Sequence, residues 1–301
     1  MVVNFESIVA ELEKKGLVIK NIEEFEYYVK NFNVNTFLTG YSGFFSDENG
    51  VFQNTTSSDI IRLYVFDRNL GNHIFRNILI IEKIMNTRVT IETINHYDIT
   101  DKCLLKMDQN VLRNSVFRNI GEVTPYVEFN TMLYRMVKYM DTNIYTKKLI
   151  DKNIADDVFK WQNVPLDLMC LSWSFSTTFS FFIASDKKLR DNILNTFNID
   201  SSLYRGFIDF IKNTIHLRNA ISHNGVVYDL KVKYATPELC NLYYYLFKQN
   251  VEIDDLKLIH LIRMISIISN DMYLYNKTVQ FGANLNVSEP HKQKIAKLFL
   301  I

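Results

Sequence analysis

Proline and glycine are scarce in this chain of 301 residues, which has 4 Pro and 9 Gly. Because these residues end helices and make tight turns, their scarcity favours long helices. Cysteine is scarce as well: Cys103, Cys170 and Cys240 are widely spaced, and no C-x-x-C pair occurs. We therefore expect neither a disulfide framework nor a structural zinc site. We expect a reducing, cytoplasmic environment for the protein.

The sequence signatures of several common enzyme classes are also missing. The chain has no Walker loop, no Rossmann fingerprint, no H-E-x-x-H sequence and no nucleophile elbow. We therefore expect neither a cofactor nor a metal ion.

Membrane insertion is not expected either. The N-terminal sequence MVVNFESIVAELEKK is too polar for a secretory signal. The most apolar run, residues 165–184, contains an aspartate and many Ser and Thr residues, and its length is borderline for a membrane span. No second span or basic flank supports insertion, so this run is predicted to be a buried core helix.

The charge is distributed unevenly although the net charge is only +1. The first 60 residues contain four Lys and nine acidic residues, a balance of −5, so the remainder of the chain carries about +6. This is a modest preference for anionic partners, and it is far weaker than that of a histone-like protein.

Apolar residues recur at spacings of three and four along most of the chain, which predicts an all-α fold. The longest predicted helix runs from about residue 59 to 94, with at most a break near Gly71. The other predicted helices cover residues 4–14, 22–32, 126–140, 165–184, 187–197, 202–223, 237–249 and 254–273. The best candidate for a strand, a weak one, is residues 231–235. We predict an N-terminal helical region, 1–150, packed against a C-terminal one, 151–301.

The sequence HLRNAISHN, residues 216–224, lies at the end of one of these helices. Asn219 and His223 are four residues apart and share a helix face, and Arg218 lies about 100° to one side. A guanidinium group beside an imidazole is suited to phosphate chemistry. His216 lies on another face and is expected to contact RNA or to be a plain surface residue.

A purely structural explanation of this sequence is also open. Arg218 could pair with a nearby acid such as Asp209 or Asp229, and His223 could cap the helix. A cation at a helix C-terminus stabilises the helix dipole by roughly 0.3–1 kcal/mol.

The same R-N-x-x-x-H spacing occurs upstream at Arg68, Asn69 and His73, where it is either accidental or a second functional site. Asp67 beside Arg68 is predicted to form an internal salt bridge that orients the long helix. The cations Arg62, Arg76, Lys83 and Arg88 are either a solvated helix face or an RNA-binding stripe.

R-N-x-x-x-H at a helix end resembles the signature of HEPN domains, which are helical bundles found in RNA-cleaving toxins and defence proteins. The chain as a whole resembles the AbiD/AbiF abortive-infection family. The stretches that carry this resemblance are GYSGFF (40–45), VFQNTT (51–56), IIRLYVFDRNL (60–70), IEKIMNTRV (81–89) and VPLDLMCLSWSFSTTF (164–179). Gly71 departs from the family pattern, which usually has an arginine there.

The resemblance implies a HEPN-like helical bundle with an N-terminal Abi-type region, and a metal-independent endoribonuclease whose catalytic residues are Arg218, Asn219 and His223. Arg62, Arg68, His73, Arg76 and His216 are the expected RNA-binding residues. It also implies a small structured non-coding RNA as a regulatory partner. Because one motif supplies one imidazole, an isologous homodimer is the expected active form.

Two other functions remain open at this stage. The first is a non-catalytic RNA-binding or scaffold protein that uses the motif to contact the RNA backbone. The second is regulation by a partner enzyme that transfers a nucleotide to the motif helix.

Overall fold

The computed structural model describes residues 4–32, 34–97, 173–283, 285, 287 and 291–294. The regular structure of these residues is helical, and none of them forms a β-strand, so the predicted all-α fold is confirmed. The α-helices are α1 (Phe5–Lys14), α2 (Ile22–Asn31), α3 (Val34–Ser42), α4 (Ser57–Tyr97), α5 (Phe175–Ala184), α6 (Lys187–Thr196), α7 (Tyr204–Ser222), α8 (Pro237–Phe247), α9 (Leu258–Ile268) and α10 (Met272–Ala283). Short 3-10 turns, Ser201–Leu203 and Ile253–Asp255, precede α7 and α9.

Helix α4 is the longest of these elements, with 41 residues and a length of about 60 Å. Its apolar positions form one continuous buried face, since the side chains of Ile60, Leu63, Leu70, Ile74, Ile78, Ile81, Met85 and Val89 are fully buried. The helix continues without a break through Gly71, where the sequence allowed one at most. A glycine inside a helix costs about 1 kcal/mol relative to alanine, which the packing of so long an apolar face readily offsets.

The start of α4 is fixed by hydrogen bonds from the residue before it. Asp59 accepts bonds at Oδ2 from the backbone N–H of Thr56, at 2.9 Å, and from its hydroxyl group, at 2.8 Å. A side chain three positions into a helix that reaches back in this way satisfies a donor that the helix itself leaves unpaired. Thr56 is thus the residue at which α4 is capped.

The chain divides into two compact units, each built from separate stretches of sequence. The first unit contains the described parts of Met1–Ile78, His216–Ala235 and Asn250–Ile301, and the second those of Leu79–Ile215 and Thr236–Gln249. In the first unit an aromatic cluster joins α2, α3 and the beginning of α4. Its members are Tyr28, Phe32, Phe37, Tyr41 and Tyr64, whose ring centroids lie 5.0–6.4 Å from their neighbours.

Two predicted elements differ from the structure. Lys233 and Tyr234 form a turn and none of residues 231–235 is in a strand, so the strand prediction is wrong. The helix predicted over 254–273 is two helices, α9 and α10. Asn270 between them has a left-handed backbone, with φ of 56°, and the N–H of Asp271 bonds the carbonyl of Ser266 at 2.8 Å. This arrangement ends α9 in the way that glycine more often does.

A third difference concerns the apolar run predicted as one helix over 165–184. Helix α5 begins at Phe175, because the side chain of Ser174 accepts a bond from the N–H of Thr177 and caps it. The predicted helix at 126–140 and the predicted boundary near residue 150 lie outside the described residues. None of the helices that the structure describes is long and apolar enough to span a membrane.

Candidate functional site at the end of helix α7

The R-N-x-x-x-H sequence lies at the C-terminal end of α7, in the first unit. Arg218 is half-buried, whereas Asn219 and His223 are exposed. His216, one turn earlier, is half-buried. The predicted placement of the motif at an exposed helix end is confirmed.

Three backbone hydrogen bonds close the end of the helix around His223. The N–H groups of His223, Asn224 and Gly225 bond the carbonyl groups of Asn219, Ile221 and Ala220, at 3.1, 3.0 and 2.8 Å. Asn224 has a left-handed backbone, with φ of 56°. The combination is a Schellman motif, in which His223 is the C-cap residue, directly after Ser222, the last residue of α7. A Cβ atom at Gly225 would lie 2.9 Å from the carbonyl oxygen of Ala220, so the close turn requires glycine there.

The polar side chains of the motif have no partner among the residues that the structure describes. Among the residues that the structure describes, those of Arg218, Asn219 and His223 make no hydrogen bond or ion pair, and Nε of Arg218 is buried without a partner. The ion pair that would give Arg218 a purely structural role is therefore not found in the described part of the chain. A buried N–H group without a partner destabilises the folded protein by roughly 1–3 kcal/mol, and a hydrogen bond to an anionic ligand would remove this penalty.

A buried carboxylate holds the segment that follows the motif. The side chain of Asp67 in α4 is fully buried, and it accepts bonds from the N–H groups of Val227, at 2.9 Å, and Tyr228, at 2.5 Å. The hydroxyl of Tyr41 in α3 also donates to Asp67, at 2.6 Å. The predicted salt bridge with Arg68 is present at 2.5 Å.

Arg68 extends this network to the motif itself. Its Nη2 atom donates to the Tyr41 hydroxyl, at 3.0 Å, and to the carbonyl of Gly225, at 2.5 Å, two residues after His223. These contacts join residues that lie 27 and 157 positions away in the sequence. The sequence predicted the Asp67–Arg68 pair, but nothing in it indicated that the pair makes hydrogen bonds to the segment directly after the motif helix.

Two tyrosines around Asp67 are kept in their neutral form. Burial, together with the negative charge of Asp67, raises the pKa of Tyr41 far above its usual range. Burial and the carboxylates of Asp229 and Asp67 raise the pKa of Tyr228 in the same direction. Both hydroxyls thus remain hydrogen-bond donors, and that of Tyr228 donates to the carbonyl of Gly40 at 3.2 Å.

Gly71 lies against the end of α7. A Cβ atom on Gly71 would lie 3.5 Å from Cγ2 of Ile221, within the motif, and 3.5 Å from Cγ2 of Val227. The two R-N-x-x-x-H sequences therefore meet at Gly71 and Ile221, each of which lies three places after the arginine of its own sequence. A side chain longer than that of alanine at position 71 would have to fit against Ile221 and Val227.

The remaining RNA-binding candidates lie on α4 in the first unit. Arg62 and Arg76 are exposed on the outer face of the helix, which they share with Asn69, and His73 is half-buried beside it. Burial lowers the pKa of His73, the neighbouring cations Lys277 and Arg76 lower it further, and Asp271 acts in the opposite direction. Lys277 of α10 is a cation at this surface that the sequence gave no reason to place here. Lys83 and Arg88 belong to the second unit.

The fold and the site define a class: an all-α protein with an Arg-Asn-His set at a helix end. The side chains of this set have no partner among the described residues, and the Asp67–Arg68 pair holds the segment that follows. A family model described as Abi-like protein matches residues 27–229, more than half of the chain. The chain therefore belongs to the Abi-like family of abortive-infection proteins. Comparisons with curated proteins and with solved structures found no match.

Proposed function

We propose that the protein is a HEPN-type toxin of an anti-phage abortive-infection system that cleaves RNA without a metal ion. The observation that supports this most is that the side chains of Arg218, Asn219 and His223, at the end of α7, have no partner among the described residues. Polar groups at one exposed helix end that bond no other described residue are suited to bind a ligand, and a guanidinium group in this state selects an anionic one.

The three side chains match the needs of RNA cleavage. RNA supplies its own nucleophile, the 2′-hydroxyl group, which attacks the adjacent phosphate. His223 takes the proton from this hydroxyl or donates one to the leaving oxygen. Arg218 holds the phosphate oxygens and stabilises the charge that develops on them. Asn219, one turn before His223, orients the imidazole or bonds the ribose.

Each motif supplies one imidazole. A mechanism in which one imidazole is the general base and another the general acid therefore requires a second motif. A homodimer in which two motifs face each other across a two-fold axis supplies it. We further propose that Arg62, His73, Arg76 and His216 contact the RNA backbone, and that a small structured RNA restrains the toxin. Arg68 is already bonded to Tyr41, Asp67 and Gly225, so its RNA contact stays a prediction.

The first experiment compares wild type with His223→Ala in an inducible bacterial host, with growth and total RNA integrity as readouts. Ser222→Ala is the matched control, because Ser222 is the exposed neighbour of His223 on the same turn. We expect wild type and Ser222→Ala to slow growth and to shorten RNA, and His223→Ala to do neither. With purified proteins, the loss of cleavage is expected to be about 10²–10⁴-fold.

Equal toxicity of wild type and His223→Ala would overturn the catalytic proposal. So would a purified wild-type protein that leaves RNA intact. If that protein still binds RNA with a salt-dependent affinity, the non-catalytic RNA-binding alternative replaces the toxin. Light scattering tests the dimer, which is refuted by a monomeric mass both with and without RNA.

A further inference from the structure

We infer that Asp67 and Arg68 are positioning residues of the candidate site, which fix the end of α7 and thereby the place of His223. The inference rests on the proposed function for the chemistry of His223. Its geometric part depends only on the described contacts, so the two can fail separately.

The chain has little freedom between His223 and these two residues. His223 is the C-cap of α7, Asn224 makes the left-handed turn, and the carbonyl of the next residue, Gly225, accepts a bond from Arg68. Two residues further on, the N–H groups of Val227 and Tyr228 are bonded by Asp67. Helix α7 therefore fixes the backbone before His223, and the bond from Arg68 to Gly225 fixes the backbone two residues after it.

A carboxylate is the side chain that this place requires. All four partners of Asp67 are donors: two backbone N–H groups, the Tyr41 hydroxyl and the Arg68 guanidinium. The carboxylate offers acceptors alone, whereas the amide of an asparagine would direct its own N–H groups at one of these donors. Arg68 supplies the opposite charge that a fully buried carboxylate needs.

Tyr41 connects the N-terminal part of the chain to the hydrogen-bond network of Asp67 and Arg68. It lies in α3, donates to Asp67 and accepts from Arg68. Helix α3 contains no candidate catalytic residue, but through Tyr41 it helps to hold the segment after the motif. This gives the GYSGFF and FDR stretches, which the sequence offered only as a resemblance, a physical role at the site.

The experiment compares Asp67→Asn with Ile60→Ala. Ile60 is fully buried in the same helix, seven residues from Asp67, so its truncation destabilises the fold but removes none of the hydrogen bonds that Asp67 and Arg68 make to residues 225–228. Both variants are examined in the full chain at a temperature where circular dichroism shows each to be folded. The readouts are the NMR signals of the His223 imidazole, assigned by their loss in His223→Ala, and the rate of RNA cleavage with its pH profile.

We expect Asp67→Asn to shift and broaden the His223 signals and to lower the cleavage rate at saturating RNA by roughly 10- to 100-fold, because small displacements of a catalytic group have effects of this size. Ile60→Ala is expected to leave both readouts at the wild-type values. Wild-type His223 signals in Asp67→Asn would overturn the inference. The NMR readout stands even if the wild type cleaves no RNA, which would refute the proposed function alone.

Should Asp67→Asn fail to fold, Tyr41→Phe takes its place. It removes one donor to Asp67 and keeps the bonds to Val227 and Tyr228. We expect a smaller shift of the His223 signals in the same direction. Unchanged signals in this variant would count against the inference.

Discussion

The carboxylate of Asp67 accepts a hydrogen bond from the backbone N–H of Val227, 160 positions further along the chain, at 2.9 Å. This single contact joins the long helix α4 to the segment that follows the R-N-x-x-x-H sequence. It places an element of the N-terminal part of an Abi-like protein four residues from His223, so the stability of the fold and the geometry of the candidate site depend on the same group.

The Tyr41 hydroxyl should contribute measurably to stability. It donates to Asp67 at 2.6 Å, and hydrogen bonds to charged groups are worth about 1.5–3 kcal/mol. We expect Tyr41→Phe to lower the free energy of unfolding by about 2 kcal/mol, measured by denaturant titration. Tyr64→Phe is the control, because Tyr64 lies in the same aromatic cluster and its hydroxyl has no bond among the described residues. Equal losses in the two variants would contradict the role given to the Tyr41 hydroxyl.

Two glycines inside helices should respond to alanine with opposite signs. At Gly71 the new methyl group would make ordinary contacts of 3.5 Å, so the better helix propensity of alanine should raise stability by about 0.5–1 kcal/mol. At Gly206 it would lie 2.2 Å from the carbonyl oxygen of Glu238, and overpacking of this kind costs about 1–3 kcal/mol. Thermal and chemical unfolding of the two variants test this. A change of the same sign at both positions would contradict the distances that the structure gives around Gly71 and Gly206.

His260 should make the first unit less stable in mild acid. Burial lowers the pKa of His260 below its usual value of 6.5, the charges of Lys257 and Arg263 lower it further, and the charge of Asp255 acts in the opposite direction. The unfolded chain then binds more protons than the folded one, so this contribution is present above about pH 6.5 and is lost as the pH falls below it. Protonation also takes Nδ1 away from the N–H of Lys257, which it accepts at 3.0 Å.

The measurement is the free energy of unfolding at pH 7.5 and pH 5.5. We expect a decrease in wild type and a smaller one in His260→Asn, whose side-chain oxygen can still cap the N–H of Lys257 without taking up a proton. The same decrease in both proteins would exclude His260 as a source of the pH dependence.

Arg76 should contribute one phosphate contact if the outer face of α4 binds RNA. The affinity of such complexes falls with salt in proportion to the number of phosphate contacts. We expect Arg76→Ala to reduce the slope of log affinity against log salt concentration by about one. Arg205→Ala is the control, because the Arg205 side chain is 81% exposed but is not an RNA-binding candidate. Equal changes in slope would indicate a diffuse electrostatic attraction instead of a defined surface.

Local patterns in the sequence predicted most of the helices and their ends. The recurrence of apolar residues at spacings of three and four predicted α4, and the predicted end of the helix over 202–223 lies one residue from that of α7. Both features depend on residues within about five positions of one another. The division between α9 and α10 was missed for a specific reason. Few glycines suggested few turns, but Asn54, Asn198, Asn224 and Asn270 adopt the left-handed backbone that glycine usually provides.

The sequence by itself determined the helical class of the protein, the long buried face of α4 and the spacing that puts Asn219 and His223 on one face. Tertiary structure alone decided that Arg218 has no ion pair among the described residues, that Gly71 lies against Ile221, and that Asp67 and Arg68 hold the segment after His223. The physical reason is the range of the interactions. Helical periodicity and capping act between near neighbours in the chain, whereas the partners of a buried charge are set by the packing of segments more than 150 positions apart.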